Sequence, residues 1–125
     1  MKILVCIKQV PDTEALLRIA ADQTTLSDAG VKYILNPYDE YALEEALRIK
    51  EAVPGTVIRA ITLGPARCAE VLRTAAAMGA DEVLHLRADE IPLDGLASAR
   101  ALARVAAEYT PDLILLGKES IDDGN

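Results

Sequence analysis

Side chains able to do chemistry gather in the final stretch of this 125-residue sequence, LLGKESIDDGN. A leucine run ends at Gly117, and Lys118, Glu119, Ser120, Ile121, Asp122, Asp123, Gly124 and Asn125 follow without an apolar break longer than one residue. Carboxylates repel phosphate but accept hydrogen bonds from ribose hydroxyls and from an adenine amino group. Two further turns, each with a proline, stand before helical patterns: Asn36-Pro37-Tyr38-Asp39, and Leu63-Gly64-Pro65-Ala66. The free N–H groups of a helix start attract anions. Together these groups suit a nucleotide whose sugar and base meet acids and whose phosphate meets backbone donors. A solvent-facing loop and ordinary helix grammar explain the same residues without a ligand. On residue types alone both readings stand.

Other chemistry is thin. His85 is the single histidine, lies inside VLHLR, and has neither a second ligand nor a nucleophile near it in sequence; a satisfied core or edge histidine is expected. Cys68 sits among Ala and Val as a small buried hydrophobe, and Cys6 alternates with Leu4 toward the interior. Asp122-Asp123 could hold a metal, but adjacent loop carboxylates more often cap or solvate the loop. Glu44, Glu45 and Lys50 read as a solvated helix face. Neither GxGxxG after the first strand nor GxxxxGK[ST] occurs, which argues against a dinucleotide dehydrogenase and a P-loop NTPase. No base pairs with an oriented nucleophile. These residues favour binding over bond-breaking.

The elements that must position them follow from hydrophobic pattern. Buried strands are expected at Lys2–Lys8, Val57–Leu63, Glu82–Arg87 and Asp112–Gly117. Asn36 is a candidate N-cap with Pro37 at the first helical position, and Leu43, Ala46 and Leu47 recur on one face. A second helix starts at Pro65 and stops at Gly79. A third starts at Asp94 or Gly95 and is closed by Thr110-Pro111. This β-α-β-α-β-α-β order calls for a single α/β domain over residues 1–125, a three-layer sandwich with a parallel sheet. The stretch Gln9–Leu35 is too long for a plain connection; within it LLRIA and TTLSDAG are candidates for a small hairpin. In such sheets ligands bind beyond the carboxyl ends of the strands. That rim receives the Cys6–Val10, Asn36–Asp39, Leu63–Ala66 and Gly117–Asn125 segments.

Composition narrows the partners. Hydrophobic residues make up 51% with no Phe or Trp, so the core is aliphatic and alanine-rich. A net charge of −7 argues against nucleic acid or an anionic membrane. Two distant cysteines indicate neither a disulfide framework nor a zinc site. MKILVCIKQV lacks the pattern of a signal peptide, no run reaches a membrane span, and the chain reads as cytoplasmic.

The blocks KILVCIKQVPD, VKYILNPYDEYALEEALRIKE, LGPARCAEVLRTAAAMGADEVLHL and PDLILLGKESIDDGN, in this order, resemble the N-terminal half of the electron transfer flavoprotein β subunit over essentially the whole chain. The resemblance implies an adenine-nucleotide-binding, Rossmann-like domain with a buried AMP. The pocket would draw on Cys6, on Asn36, Pro37, Tyr38 and Asp39, on Leu63, and on Gly117, Lys118, Glu119, Ser120, Ile121, Asp122, Asp123, Gly124 and Asn125. It further implies FAD shared with an α subunit in a heterodimer, flavin dehydrogenases as electron donors, and no catalytic side chain of the chain's own. Pro11–Leu35 is a candidate for part of the flavin contact. The family pattern continues past this loop into a Gln-Thr-Gly-like turn and a helix, so the chain is expected to be a fragment cut before the phosphate-holding half. Two alternatives stay open: a stand-alone nucleotide-binding module, stress-type or regulatory, and an electron-splitting relative with a second FAD in place of AMP.

Overall fold

The computed structural model describes residues 1–12, 32–89 and 95–122. In chain order the elements are β1 (Lys2–Cys6), β2 (Gln9–Pro11), β3 (Tyr33–Leu35), α1 (Pro37–Ala52), β4 (Val57–Gly64), α2 (Ala69–Met78), β5 (Glu82–Arg87), α3 (Gly95–Tyr109) and β6 (Leu113–Leu116). Four strands pair in parallel in the order β5-β4-β1-β6. The central strand carries apolar side chains on both faces, with Ile3, Leu4 and Val5 all fully buried. That is the signature of a strand covered on both sides.

Each helix buries the stripe its sequence provides. Along α1, Ala42, Leu43 and Ala46 are buried, and the small alanines bring the backbone close to the sheet. Asp39 and Glu40 in its first turn and Lys50 in its last complement the helix dipole. Val71, Leu72 and Ala75 do the same for α2, and both helices share a core with Ile3, Val5, Ile58 and Ala60. On the opposite face α3 packs Leu102, Val105, Ala106 and Tyr109 against Leu4, Ile61, Leu84 and Leu86. The result is the expected three-layer α/β sandwich. Its layers are unequal: two helices lie on one face and, among the described residues, one on the other. Ile114 and Leu116 of the edge strand β6 are left 43% and 61% exposed.

Several boundaries differ from expectation. Strand one stops at Cys6 rather than Lys8, because the Lys8 N–H leaves the ladder for the Asp39 carboxylate at 2.8 Å. Pro65 does not begin a helix. It is extended (ψ 177°) and caps a 3-10 turn, Ala66–Cys68, closed by the Cys68 N–H donating to Pro65 O at 3.0 Å; α2 starts only at Ala69. Gly79 ends that helix as expected, at φ 129°, with the Gly79 and Ala80 N–H groups returning to Ala76 O and Ala75 O. The long insertion is tied off by β2 and β3, an antiparallel pair separate from the main sheet, with Gln9 opposite Leu35 and Pro11 opposite Tyr33. The proposed hairpin arms LLRIA and TTLSDAG, and Asp94, lie outside the described residues. His85 is accounted for by its Nε2, 2.9 Å from Gly64 O. No helix among the described residues is long and apolar enough to cross a membrane.

At the amino end of the sheet Asp81 accepts from Lys50 Nζ at 2.6 Å and from the Ile58 N–H at 2.9 Å. These two donors hold its carboxyl below the usual range, the lysine first. A depressed carboxyl stabilises the fold above its unfolded value of about 4 and loses that contribution as pH falls through the folded value. Asp81→Asn is therefore expected to cost about 1 kcal/mol or less at neutral pH, water screening the pair. The difference from the parent should begin to shrink in urea titrations taken below about pH 4 and keep falling as the pH is lowered further.

Candidate functional site

In the observed strand order β1 sends its crossover to β4 on one side while β6 lies on the other. The chain paths therefore diverge between β1 and β6, where a crevice opens beyond the strand ends. Cys6 and Leu116 are register partners there and close its floor. A cleft of about 270 Å³ occupies the position, walled by the ends of these strands, the starts of α1 and α3, and the loop after β6.

Two side chains knit the walls together. The Asp39 carboxylate, 7% exposed, accepts the Lys8 N–H on Oδ2 at 2.8 Å and the Gly117 N–H on Oδ1 at 3.2 Å. Asn36, 1% exposed, donates its amide to Glu119 O at 2.8 Å and accepts the Ile121 N–H at 3.1 Å. Asn36 stands at the N-cap position, yet its side chain caps nothing in α1. The loop offers it both a buried carbonyl and a buried N–H, so the amide satisfies two groups instead of one. Lys8 completes the arrangement, its Nζ 2.9 Å from Asp122 Oδ1 and 3.3 Å from Ser120 Oγ.

The electrostatics follow from burial. Desolvation raises the Asp39 carboxyl, while the Lys8 N–H, the Asn36 side chain and the Gly117 N–H pull it back. Burial first, and the Asp39 charge second, push the Cys6 thiol up to about 11. At neutral pH Cys6 is thus a protonated, soft apolar wall rather than a nucleophile.

Of the residues singled out in the sequence, Cys6, Asn36, Asp39, Leu63, Gly117, Lys118, Glu119 and Ser120 line this one cleft. Ile121 and Asp122 belong to the same loop and reach it through Asn36 and Lys8. Pro37 and Tyr38 shape the start of α1 without lining the cleft, although Tyr38 backbone packs directly beside Gly117. Asp123, Gly124 and Asn125 lie outside the described residues. Sequence reasoning missed the α3 wall formed by Gly95, Ser98, Ala99 and Leu102, and put Lys8 on the rim only as part of the segment Cys6–Val10. The signal for α3 was available: it follows the carboxyl end of β5, so its start must lie on the same rim. Nothing in the sequence singled out Lys8, which lies between the strand and the β2–β3 ribbon.

The family model for the electron transfer flavoprotein domain matches residues 23–125. The chain belongs to this family. It is 45% identical over 126 residues to the mitochondrial electron transfer flavoprotein subunit beta of Oryza sativa subsp. indica, covering 98% of this chain and 50% of that protein. It is 44% identical to the subunit beta of Bradyrhizobium diazoefficiens and 42% identical to that of Homo sapiens, covering 98% of this chain and 49% of each. The chain spans about half the length of these curated relatives, matching their N-terminal portion.

In this family member Gly117 sits directly against the start of α1. A Cβ there would collide with Asp39 Oδ1 and come within 2.8 Å of Asp39 N and Tyr38 C. Gly117→Ala should push β6 and its loop off α1 and cost about 1–3 kcal/mol. Urea unfolding checks the size of the loss. Amide exchange should show it concentrated at Lys8, Gly117 and Ile121, whose N–H groups bond to Asp39 or Asn36.

Proposed function

We propose that the chain is the adenine-nucleotide-binding part of an electron transfer flavoprotein β subunit, with AMP held in the cleft between β1 and β6. The observation that carries this reading is the convergence of Cys6, Asn36, Asp39, Leu63 and the Gly117–Ser120 loop on one crevice, at the position where parallel α/β sheets bind nucleotides. The residues present fit such a group. Cys6, Leu63, Leu102 and Leu116 give an apolar surface for a base, and Lys8, Lys118, Glu119 and Ser120 supply donors and acceptors along the rim.

AMP does no chemistry in this reading. Bound between β1, α1 and the loop after β6, it ties together walls that Asp39 and Asn36 already align. FAD, shared with an α subunit in a heterodimer, would supply the redox chemistry that links flavin dehydrogenases as donors to a downstream acceptor. This chain's part is to hold its side of the assembly rigid and to keep reactive groups away from the electron path. No side chain of the chain's own is assigned a catalytic step.

Co-expression of the full-length subunit with a cognate α subunit should give a yellow heterodimer that releases stoichiometric FAD and AMP on denaturation, identified by chromatography. A colourless complex would overturn the flavoprotein role. Two flavins per heterodimer with no AMP would assign the cleft to a second FAD instead.

A further inference from the structure

In the antiparallel ribbon Gln9 faces Leu35, Val10 faces Ile34 and Pro11 faces Tyr33. Two backbone bonds carry that register further. The Asp12 N–H donates to Lys32 O at 2.7 Å, and the Asn36 N–H donates to Lys8 O at 2.9 Å. Lys8 and Asn36 are therefore one more rung of the ribbon, at its root. The same two residues grip the loop after β6. Lys8 Nζ reaches Ser120 Oγ and Asp122 Oδ1, and the Asn36 amide joins Glu119 O and the Ile121 N–H. Asn36 and Ser120 are buried, so loosening this grip strands polar groups away from water. The ribbon also has a second anchorage. Gln9 Nε2 donates to Arg67 O at 3.0 Å, the Arg67 guanidinium lies 4.4 Å from the centre of the Tyr33 ring, and Val10 is fully buried. If that anchorage alone set the ribbon, a disturbance of the cleft wall would not reach it.

We propose that the Lys8–Asn36 rung couples the cleft to the β2–β3 ribbon, so that whatever fixes or displaces the loop after β6 also steadies or loosens β2 and β3. The coupling resides in this chain's own bonds and needs no named ligand; its extension to AMP rests on the reading above. Displacing the loop takes away the groups that the Lys8 and Asn36 side chains hold. The rung is then kept by little more than the Asn36 N–H on Lys8 O, and a two-stranded ladder opens locally from a weakened end. A ligand that touches both the loop and the opposite wall acts in the other direction, because it favours the closed arrangement in which the grip is intact. The effect is reciprocal by linkage: steadying the ribbon raises the affinity for that ligand by the same factor.

The test is amide hydrogen exchange on the full-length β subunit, stripped of nucleotide and followed at Asp12 and Asn36 in the ribbon and at Ile121 in the loop. Asp81, whose N–H donates to Ile58 O at the amino end of the sheet, reports any loosening of the whole fold. In Gly117→Ala, exchange at Asp12 and Asn36 should quicken at least about fivefold more than at Asp81, the lower end of ordinary coupling between sites. Asp12 moving only in step with Asp81 overturns the coupling, whatever the ligand. Should Gly117→Ala not fold, Asp122→Asn, which weakens the tie from Lys8 to the loop, decides by the same comparison. Added AMP should slow exchange at Asp12 and Asn36 together with Ile121. Protection of Ile121 with none at Asp12 overturns the inference. No protection at any of the three overturns the AMP reading itself, and the Gly117→Ala comparison still decides the coupling.

Discussion

The two oxygens of Asp39 accept backbone N–H groups from residues 31 and 78 positions away in sequence, one in each of the loops that flank the cleft. A buried carboxylate left without partners costs several kcal/mol. This one is tolerable only because Lys8 and Gly117 present their N–H groups to it, and those N–H groups are satisfied only because it is there. Asn36 repeats the device one turn earlier with an amide, which can both donate and accept and so serves Glu119 and Ile121 together. The cleft is therefore not a gap left between elements. Its walls are fixed by polar groups whose alternatives are all worse.

Much of the architecture was legible because apolar side chains report it directly. The four sheet strands, the alanine-rich stripe of α1 and the Gly79 stop each follow from one local rule of period or backbone freedom. Boundaries slipped where a polar contact from far along the chain overrode the local rule. The Lys8 N–H is drawn out of strand register by Asp39, and Asn36 abandons its own helix for a loop 83 residues on. No window of the sequence contains both ends of such a bond. The site was legible as a set of segments on one rim, since the crevice rule needs only strand order. The roles within it were not. Asn36 and Asp39 line the cleft and also bond backbone groups of the facing loops, contacts that no local pattern announces.

The sandwich is lopsided, and its two faces differ in character. Under α1 and α2 the core is continuous from Ile3 to Ala75, with alanines at the closest approaches. Under α3 the core is smaller, and it rests on Tyr109, whose ring carries the Arg59 guanidinium 4.0 Å from its centre. Arg59 in turn pairs with Glu82 on the neighbouring strand. This face thus substitutes an aromatic ring and a cation for the aliphatic depth of the other. The cleft opens at the opposite, carboxyl end of the same layer, where Leu102 and Leu116 are part of its wall.

The absence of a side chain at Gly117 lets the loop after β6 sit directly on the first turn of α1, closer than any other residue would allow. Transplanting that loop into a different parallel scaffold would consequently fail if done as a contiguous graft. The donor segment would have to travel with an aspartate at the matching helix position, and the recipient would need a glycine-width gap to receive it. In design terms positions 39 and 117 are a single part delivered in two pieces.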